Sequence, residues 1–535
     1  MATTFIRANA WNKGGTFDNP DLLWYAKGVG AMQARGLDST ASWWFFAAIH
    51  GEYVNDQGFP GWGSLPAPPP VPDAPSPSQN LIDLYWDQCQ HQSWYFTPWH
   101  RGYLLALEAQ LRADVQALGG PDTWALPYWN YLGPAQQFNI PPAFTQQNLP
   151  DGTPNPLFVS ARYGPDGDGN IFIPTAAAIK KHPHDPNFVY GVVTDACMSN
   201  DLYTGNDAST KPPGFGGPQT DFSHGGGTNG NLEGNPHNLV HVYVGGNAPD
   251  GQTYGLMSDP GIAALDPIFY IHHANIDRMW ATWNQSPTRT NPTDPDWLNG
   301  PAAQGERQFA MPMPDGSSWV YTPQQMSDLG QLNYTYDSLP QPAPAPAVLT
   351  ERLTALGATA AAARVAQGAR VTSGRNLELV GASQPGIAIQ GTGARTTVKL
   401  DTAARQRVTA SLTAASETAP PDRVFLNLEN VRGTRDSYVL SVYVNLPQGA
   451  KPDDHPELLA GSVALFGLRR ATQQEGKHGG QGLSFVLEIT KIVDALHLRN
   501  ALDTDSLAVT IVPHTNVPTQ AEITVGKVSI YRQGH

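Results

Sequence analysis

The stretch DPIFYIHHANIDRMW, residues 266–280, decides how this chain is read. It reads as a helix, and in its middle stand two adjacent histidines, His272 and His273. Working outward, NPHNLVH (235–241) supplies His237 and His241, four residues apart and so on one face if helical. CQHQSWYFTPWHRGYLLALEAQL (89–111) supplies His91 and His100, and the apolar run STASWWFFAAIH (39–50) ends on His50. Imidazole is a good ligand for copper, zinc, iron and nickel. Six well-placed imidazoles hold two ions close together, and three per ion leave positions open for oxygen or substrate. Thiols are scarce, Cys89 and Cys197 alone, which argues against a structural zinc site. His182, His184, His224, His455, His478, His497, His514 and His535 read as ordinary surface residues.

The chain has 535 residues, so two or three domains are expected. Its net charge of −14 disfavours nucleic acid or an anionic membrane as partner and suits a protein acting on small molecules. Two cysteines allow one bridge at most. MATTFIRANAWNKGG lacks the apolar run of a secretory signal, and no stretch approaches the roughly 20 apolar residues of a membrane span. The expectation is a cytoplasmic protein, with partner-assisted export left open. The oligomeric state is also open, a homo-oligomer being allowed.

Composition divides the chain. Residues 1–338 are rich in Trp, Tyr and His, with long loops between short helices. In GYLLALEAQLRADVQAL, Leu104, Leu107, Leu111 and Val115 share a helical face, and Gly119 and Gly120 stop the helix. The Pro-rich run LPQPAPAPA opens a linker, 339–370, containing an Ala-rich segment. Beyond it, in 371–535, period-two segments appear: VFLNLENV, YVLSVYVNL, GSVALFGL, LSFVLEIT, SLAVTIVP and ITVGKVSIY. The expected fold class is a mainly α domain, a four-helix bundle around the histidines, followed by an all-β sandwich.

FTPWHRGYLLALE and DPIFYIHHANIDRMW, with HNLVH between them, resemble the two copper motifs of the type 3 copper proteins: tyrosinases, catechol oxidases and hemocyanins. DPDWLNG (294–300), the Tyr334-x-Tyr336 pair and the β domain are similar to plant-type polyphenol oxidases. The resemblance implies two copper ions, one on His50, His91 and His100, the other on His237, His241 and His273, with His272 a neighbour. It implies that dioxygen binds between the ions and that phenols or catechols become o-quinones. Cys89, two residues before His91, would form a thioether to that ring. Glu233 and Asn238 would hold a water that takes the phenol proton.

In some relatives a bulky aromatic covers the second copper. Here GLMSDPGIAAL (255–265) offers Met257, Ser258, Pro260 and Gly261 instead, which suggests an open entrance. Asp277, one turn after His273, would orient a ligand ring; Phe269 would pack between the ligand helices. Arg7 with Tyr334 and Tyr336 would tie the N-terminus to the end of the domain. The C-terminal domain would cover the site and keep the enzyme latent, reaching over through RRATQQEGKHGGQGL (469–483). The partners implied are small phenols and dioxygen. A strict catechol or o-aminophenol oxidase, a hemocyanin-like oxygen carrier and a zinc hydrolase are the alternatives. The Cys-x-His match and the lack of an HExxH helix in this chain weigh against the last.

Overall fold

A computed structural model describes the chain except residues 1–3, 52–53, 55–60, 66–67, 183–187, 206–212, 224–226, 252, 341–376, 415–420, 475–479, 500–501, 503–504 and 535. Nearly all of the expected linker, 339–370, and His184, His224, His478 and His535 lie outside the described residues.

Five of the described helices of the first domain frame the histidines: α1 (Pro20–Gln33), α2 (Trp43–His50), α3 (Phe96–Ala117), α4 (Leu239–Gly245) and α5 (Ile268–Trp283). The start of α2 is fixed by Ser42, whose Oγ accepts the Phe45 N–H at 3.0 Å. Every residue of α2 and of α5 is buried, as expected of helices with no polar face to give to solvent. The four predicted residues of α3, Leu104, Leu107, Leu111 and Val115, are buried, and α1 and α5 pack against that helix. α2, α3, α4 and α5 carry the histidines and surround them with one aromatic core.

Because α5 is buried all round, its ionised groups need partners. Asp277 receives them from three other parts of the chain. Arg101 of α3 donates through Nε at 2.5 Å, Arg7 of β1 (Phe5–Arg7) through Nη1 at 3.1 Å, and Tyr334 through its hydroxyl at 2.6 Å. The Tyr336 hydroxyl is a fourth donor. β1 also pairs in parallel with β4 (Tyr334–Tyr336), and the Arg7 guanidinium lies 4.2 Å above the Tyr334 ring. The expected tie between the N-terminus and the end of the domain therefore runs through Asp277. Burial alone would raise this carboxyl, but Arg101 and Arg7 outweigh it and hold it below the usual carboxylate range. The expectation that Asp277 orients a ligand ring is corrected: its carboxylate oxygens are engaged by these two arginines and two tyrosines. It sets how α3 and α5 lie against each other.

Beyond the first domain, nine strands form one antiparallel sheet: β5 (Leu377–Ala382), β6 (Ile387–Ala388), β7 (Ala394–Leu400), β8 (Arg423–Arg432), β9 (Val439–Val444), β10 (Leu459–Ala464), β11 (Leu483–Glu488), β12 (Ser506–Pro513) and β13 (Thr524–Gln533). The order is β10-β9-β12-β7-β5-β13-β8-β11, with β6 on β13, and the end strands β10 and β11 come side by side. Helices α6 (Thr402–Ala414) and α7 (Thr490–Leu498), with a short helical turn at Leu468–Thr472, are additions that the strand pattern did not announce. This domain has its own core of Val, Leu and Ile. One expected strand is shorter than its apolar run: GSVALFGL leaves the sheet after Ala464. Val439, Ala464 and Phe466 join the aromatic core of the first domain instead.

Asp277→Asn should therefore lower stability by about 3–5 kcal/mol, the cost of leaving Arg101 buried without its counter-ion and Arg7 with Glu108 alone. A thermal melt checks this. The depressed carboxyl contributes stability above the ordinary carboxylate range that is lost as pH falls through its folded value, so the penalty of the substitution should shrink in acid.

Candidate metal centre

Two groups of side chains gather potential ligand atoms within 4.8 Å of one another: His50, Cys89, His91 and His100, and His237, His241, His272 and His273. All are buried. His50 is the last residue of α2, and Gly51 follows because a Cβ there would lie 2.5 Å from the Pro260 carbonyl oxygen. His91 sits in the loop before α3 and His100 in its second turn. His237 closes a wide helical turn, Glu233–Asn238, that leads into α4 and so reaches the same cluster as His241.

Burial drives five of these rings toward the neutral form. His237 is pushed down to about 3, and His100, His241, His272 and His273 lie well below the ordinary value for the same reason, with neighbouring imidazoles adding to it. A neutral imidazole has one N–H and one lone pair. In four of the rings a fixed acceptor decides which nitrogen keeps the hydrogen. His50 Nδ1 donates to the Pro260 carbonyl at 2.9 Å, His100 Nδ1 to Phe96 at 2.8 Å, and His241 Nδ1 to Met257 at 2.9 Å. His237 Nδ1 donates to Asn238 Oδ1 at 2.7 Å. Each leaves an Nε2 lone pair to offer a metal.

The second cluster tests whether an ion fits. His273 Nε2 stands 3.2 Å from Nε2 of both His237 and His241. His237 and His241 turn lone pairs on this point, and a cation there would be held by both together with the His273 Nε2. Ligands on 2.0–2.1 Å bonds in a tetrahedral arrangement sit about 3.3 Å apart, which matches. Nitrogen donors, with one sulfur close by, suit copper rather than a hard cation. His100 and His273 stack at 4.5 Å with 13° between planes, so the two clusters are neighbours. Phe269 packs between them, 4.1 Å from the His273 ring and 4.7 Å from His50. His272 lies beside His237 and Tyr131, at 5.4 and 5.6 Å between ring centres.

Cys89 Sγ is 3.5 Å from His91 Nδ1, 3.7 Å from His91 Nε2 and 3.4 Å from His100 Nε2. Glu233 is buried, with its carboxyl pushed up to about 8 by that burial. Both of its oxygens accept the Gln92 N–H at 2.9 Å, one residue past His91. Gln92 turns that N–H inward with a left-handed backbone, φ 56°. Asn238 orients His237, as above, and keeps its amide N–H groups for another acceptor.

One expectation about the rim, the open entrance, is corrected. Met257 and Pro260, expected at the entrance wall, also hold ligand rings with their carbonyl oxygens. The entrance is not open. Phe466, carried past the end of β10 on the C-terminal domain, lies against His241 at 4.3 Å with 29° between rings, and 5.8 and 5.9 Å from His91 and His237. It precedes the stretch 469–483 expected to reach over. Gly467, at φ 84°, turns the chain away immediately after it. Arg469 then pairs with Asp259 and Arg470 with Asp87, the latter at 2.9 Å, pinning the turn to the first domain. The signal for Phe466 was the aromatic breaking the strand run GSVALFGL. Among the eight histidines read as surface, His514 is buried, 7% exposed.

Residues 40–286 match the common central domain of tyrosinase, and residues 376–533 match a domain of unknown function, DUF7868. The chain is similar to tyrosinase HcTyr1 of Hahella sp. (strain CCB-MM4), 29% identical over 96% of this chain and 97% of that protein. Over 39% of its length it is 31% identical to aureusidin synthase of Antirrhinum majus, covering 35% of that enzyme. The fold resembles latent apple tyrosinase, with a TM-score of 0.57 and 24% identity over 99% of this chain and 98% of that one. It also resembles latent aurone synthase, at 0.56 and 20% over 100% and 90%. A buried pair of imidazole clusters in a helical domain of this kind defines a copper oxidoreductase that uses two ions. Residues 40–286 are a tyrosinase central domain, and the fold follows the arrangement of the latent apple and aurone synthase structures, with a C-terminal β domain after it.

His273→Ala, which removes the ring central to the second cluster, should leave the copper-loaded protein with about one ion where the parent holds two. Elemental analysis of the gel-filtered protein reads this directly, while an unchanged count would contradict the ligand set.

Proposed function

We propose that this enzyme hydroxylates monophenols at the ortho position and oxidises o-diphenols to o-quinones, and that Phe466 keeps it latent. One phenol and one dioxygen give one o-quinone and one water; two diphenols and one dioxygen give two o-quinones and two waters. His50, His91, His100, His237, His241 and His273 would hold the two copper ions, which supply the activation of dioxygen when bound.

The protein's own residues handle the ring and its proton. A phenol with an ordinary value near 10 must lose its hydroxyl proton to act as a ligand at neutral pH. Glu233 and Asn238 are suited to hold a water for this. The Asn238 carbonyl is committed to His237, so its amide can only donate to that water. In its ionised form the Glu233 carboxylate accepts from it. Such a water has a lone pair left for the phenol hydroxyl. The observation that carries the reading is Glu233 itself, a buried carboxyl beside His91 whose value of about 8 suits proton exchange near neutrality.

Cys89 is within reach of a thioether to His91. Its formation would remove the thiol hydrogen and one ring hydrogen, and the two electrons would pass to dioxygen. A peptide carrying both residues would be lighter by two hydrogen atoms, and its mass spectrum decides the matter.

Oxygen uptake on tyrosol and on catechol tests the whole reading. Glu233→Gln should cut monophenol turnover by about a hundredfold and diphenol turnover by less than tenfold. Equal losses on both substrates would favour a strict catechol oxidase. Phe466→Ala should raise catechol turnover of the full-length protein by about tenfold or more, since the substrate then no longer competes with a tethered ring for the His241 face. No gain would refute latency through this residue.

A further inference from the structure

The two domains also meet at His514, the residue after β12. Its ring is buried among residues of the first domain. Nδ1 faces the Val189 carbonyl oxygen at 3.2 Å, and Nε2 faces the Pro165 carbonyl oxygen at 2.9 Å. A carbonyl oxygen only accepts, and a neutral imidazole has a single N–H. Whichever tautomer a neutral ring adopted, one contact would set a lone pair against a lone pair. The imidazolium alone satisfies both.

The surroundings suit a cation. From the loop holding Pro165, Asp166 places Oδ1 3.9 Å from Nε2, and Asp168 follows two residues on. From the Val189 segment, the Tyr190 ring stacks on the imidazole at 4.5 Å, and its hydroxyl donates to both Asp166 oxygens at 2.8 and 2.9 Å. From α4, Tyr243 meets the ring edge-on at 5.5 Å, with its hydroxyl accepting the Gly191 N–H. On its own side, the His514 backbone N–H donates to the Val439 carbonyl at the start of β9. None of these contacts is with an imidazole of the metal clusters.

We propose that His514 is a pH-dependent latch between the domains: its doubly protonated ring bridges two carbonyls of the first domain, and losing one proton releases one of them. The sign follows from the geometry. An undocked histidine is protonated below about pH 6.5, so docking is fully supported there. As pH rises and the docked ring gives up a proton, one carbonyl loses its donor and the cation loses its place beside Asp166 and over Tyr190. β12, which carries His514, pairs with β9, and β9 pairs with β10, the strand leading to Phe466. Release at His514 therefore loosens the sheet that holds the plug. Only this last consequence, for activity, rests on the latency reading above.

The test uses the copper-loaded full chain at pH 5.5–8.5, in urea too dilute to unfold either domain, with small-angle scattering reporting domain separation. The expected result is a separation constant that rises about tenfold or more across this range in the parent, and less than about threefold in His514→Gln, which is neutral throughout. Asp166→Asn keeps the ring and its two carbonyls, and should move the parent's transition to lower pH. It serves if His514→Gln does not fold. A parent constant that does not change with pH, or an unmoved transition in these variants, overturns the latch. Catechol turnover is followed in parallel. Separation that rises with pH while turnover stays flat would leave the latch standing and refute latency instead.

Discussion

The structure depends on one requirement: imidazole rings must be buried, neutral and unable to rotate. Burial supplies neutrality, since a charged ring in this core would have no compensation. Rotation is prevented by acceptors that come from elsewhere in the chain. His50 is held by Pro260 and His241 by Met257, carbonyls on one loop of 255–265 that serves both clusters. His100 uses the carbonyl four residues back in its own helix, and His237 uses its neighbour Asn238. A ring fixed by Nδ1 presents Nε2 in one direction only, and so the site is shaped before any ion arrives.

That requirement passes outward to the helices. A shift of α5 against α3 would move His273 relative to His100, whose rings stack across the boundary between clusters. The fastening of those helices is the ionic cluster at Asp277, four residues after His273 and paired with Arg101, the residue after His100. The Arg101 guanidinium also lies 3.8 Å over the Trp280 ring of α5. Ligand and fastening thus alternate along the same two helices, one facing the metal centre and the other the domain's N-terminal strand. Arg7 and the Tyr334–Tyr336 strand close this second face from both ends of the domain.

Much of this was legible in the sequence, for physical reasons. A histidine inside an apolar helical run has few purposes, and six of them in ordered motifs have fewer, so the clusters and the bundle could be read directly. The change from helical to period-two patterning marked the second domain. What could not be read was anything carried by backbone carbonyls. Met257 and Pro260 were seen as side chains at an entrance, while their oxygens do the holding. Asp277 was assigned to a ligand by its helical spacing, because its true partners, Arg7, Arg101, Tyr334 and Tyr336, converge only in three dimensions. His514 looked like surface because a strand end gives no hint of what it inserts into.

Phe466 was hidden for a related reason, and its chemistry explains its place. It is the phenol side chain without the oxygen. A site that oxidises phenols must receive a flat ring against its imidazoles, and Phe466 lies against His241 at 4.3 Å in that manner. With no hydroxyl it has no proton to lose and no oxygen to offer a metal, so it can occupy the face without reacting. Its hold on the site is a ring stack worth about 1 kcal/mol beyond the area buried, a weak bond by itself. The rest comes from the charged contacts around it. Asp436, whose backbone-accepting carboxylate sits beside Arg469, is pushed up to about 7 by burial and by Asp259. On the latency proposed above, a plug held by a modest stack and by ion pairs that compete for one arginine would be both specific and removable, which a purely apolar seal of the same size would not be.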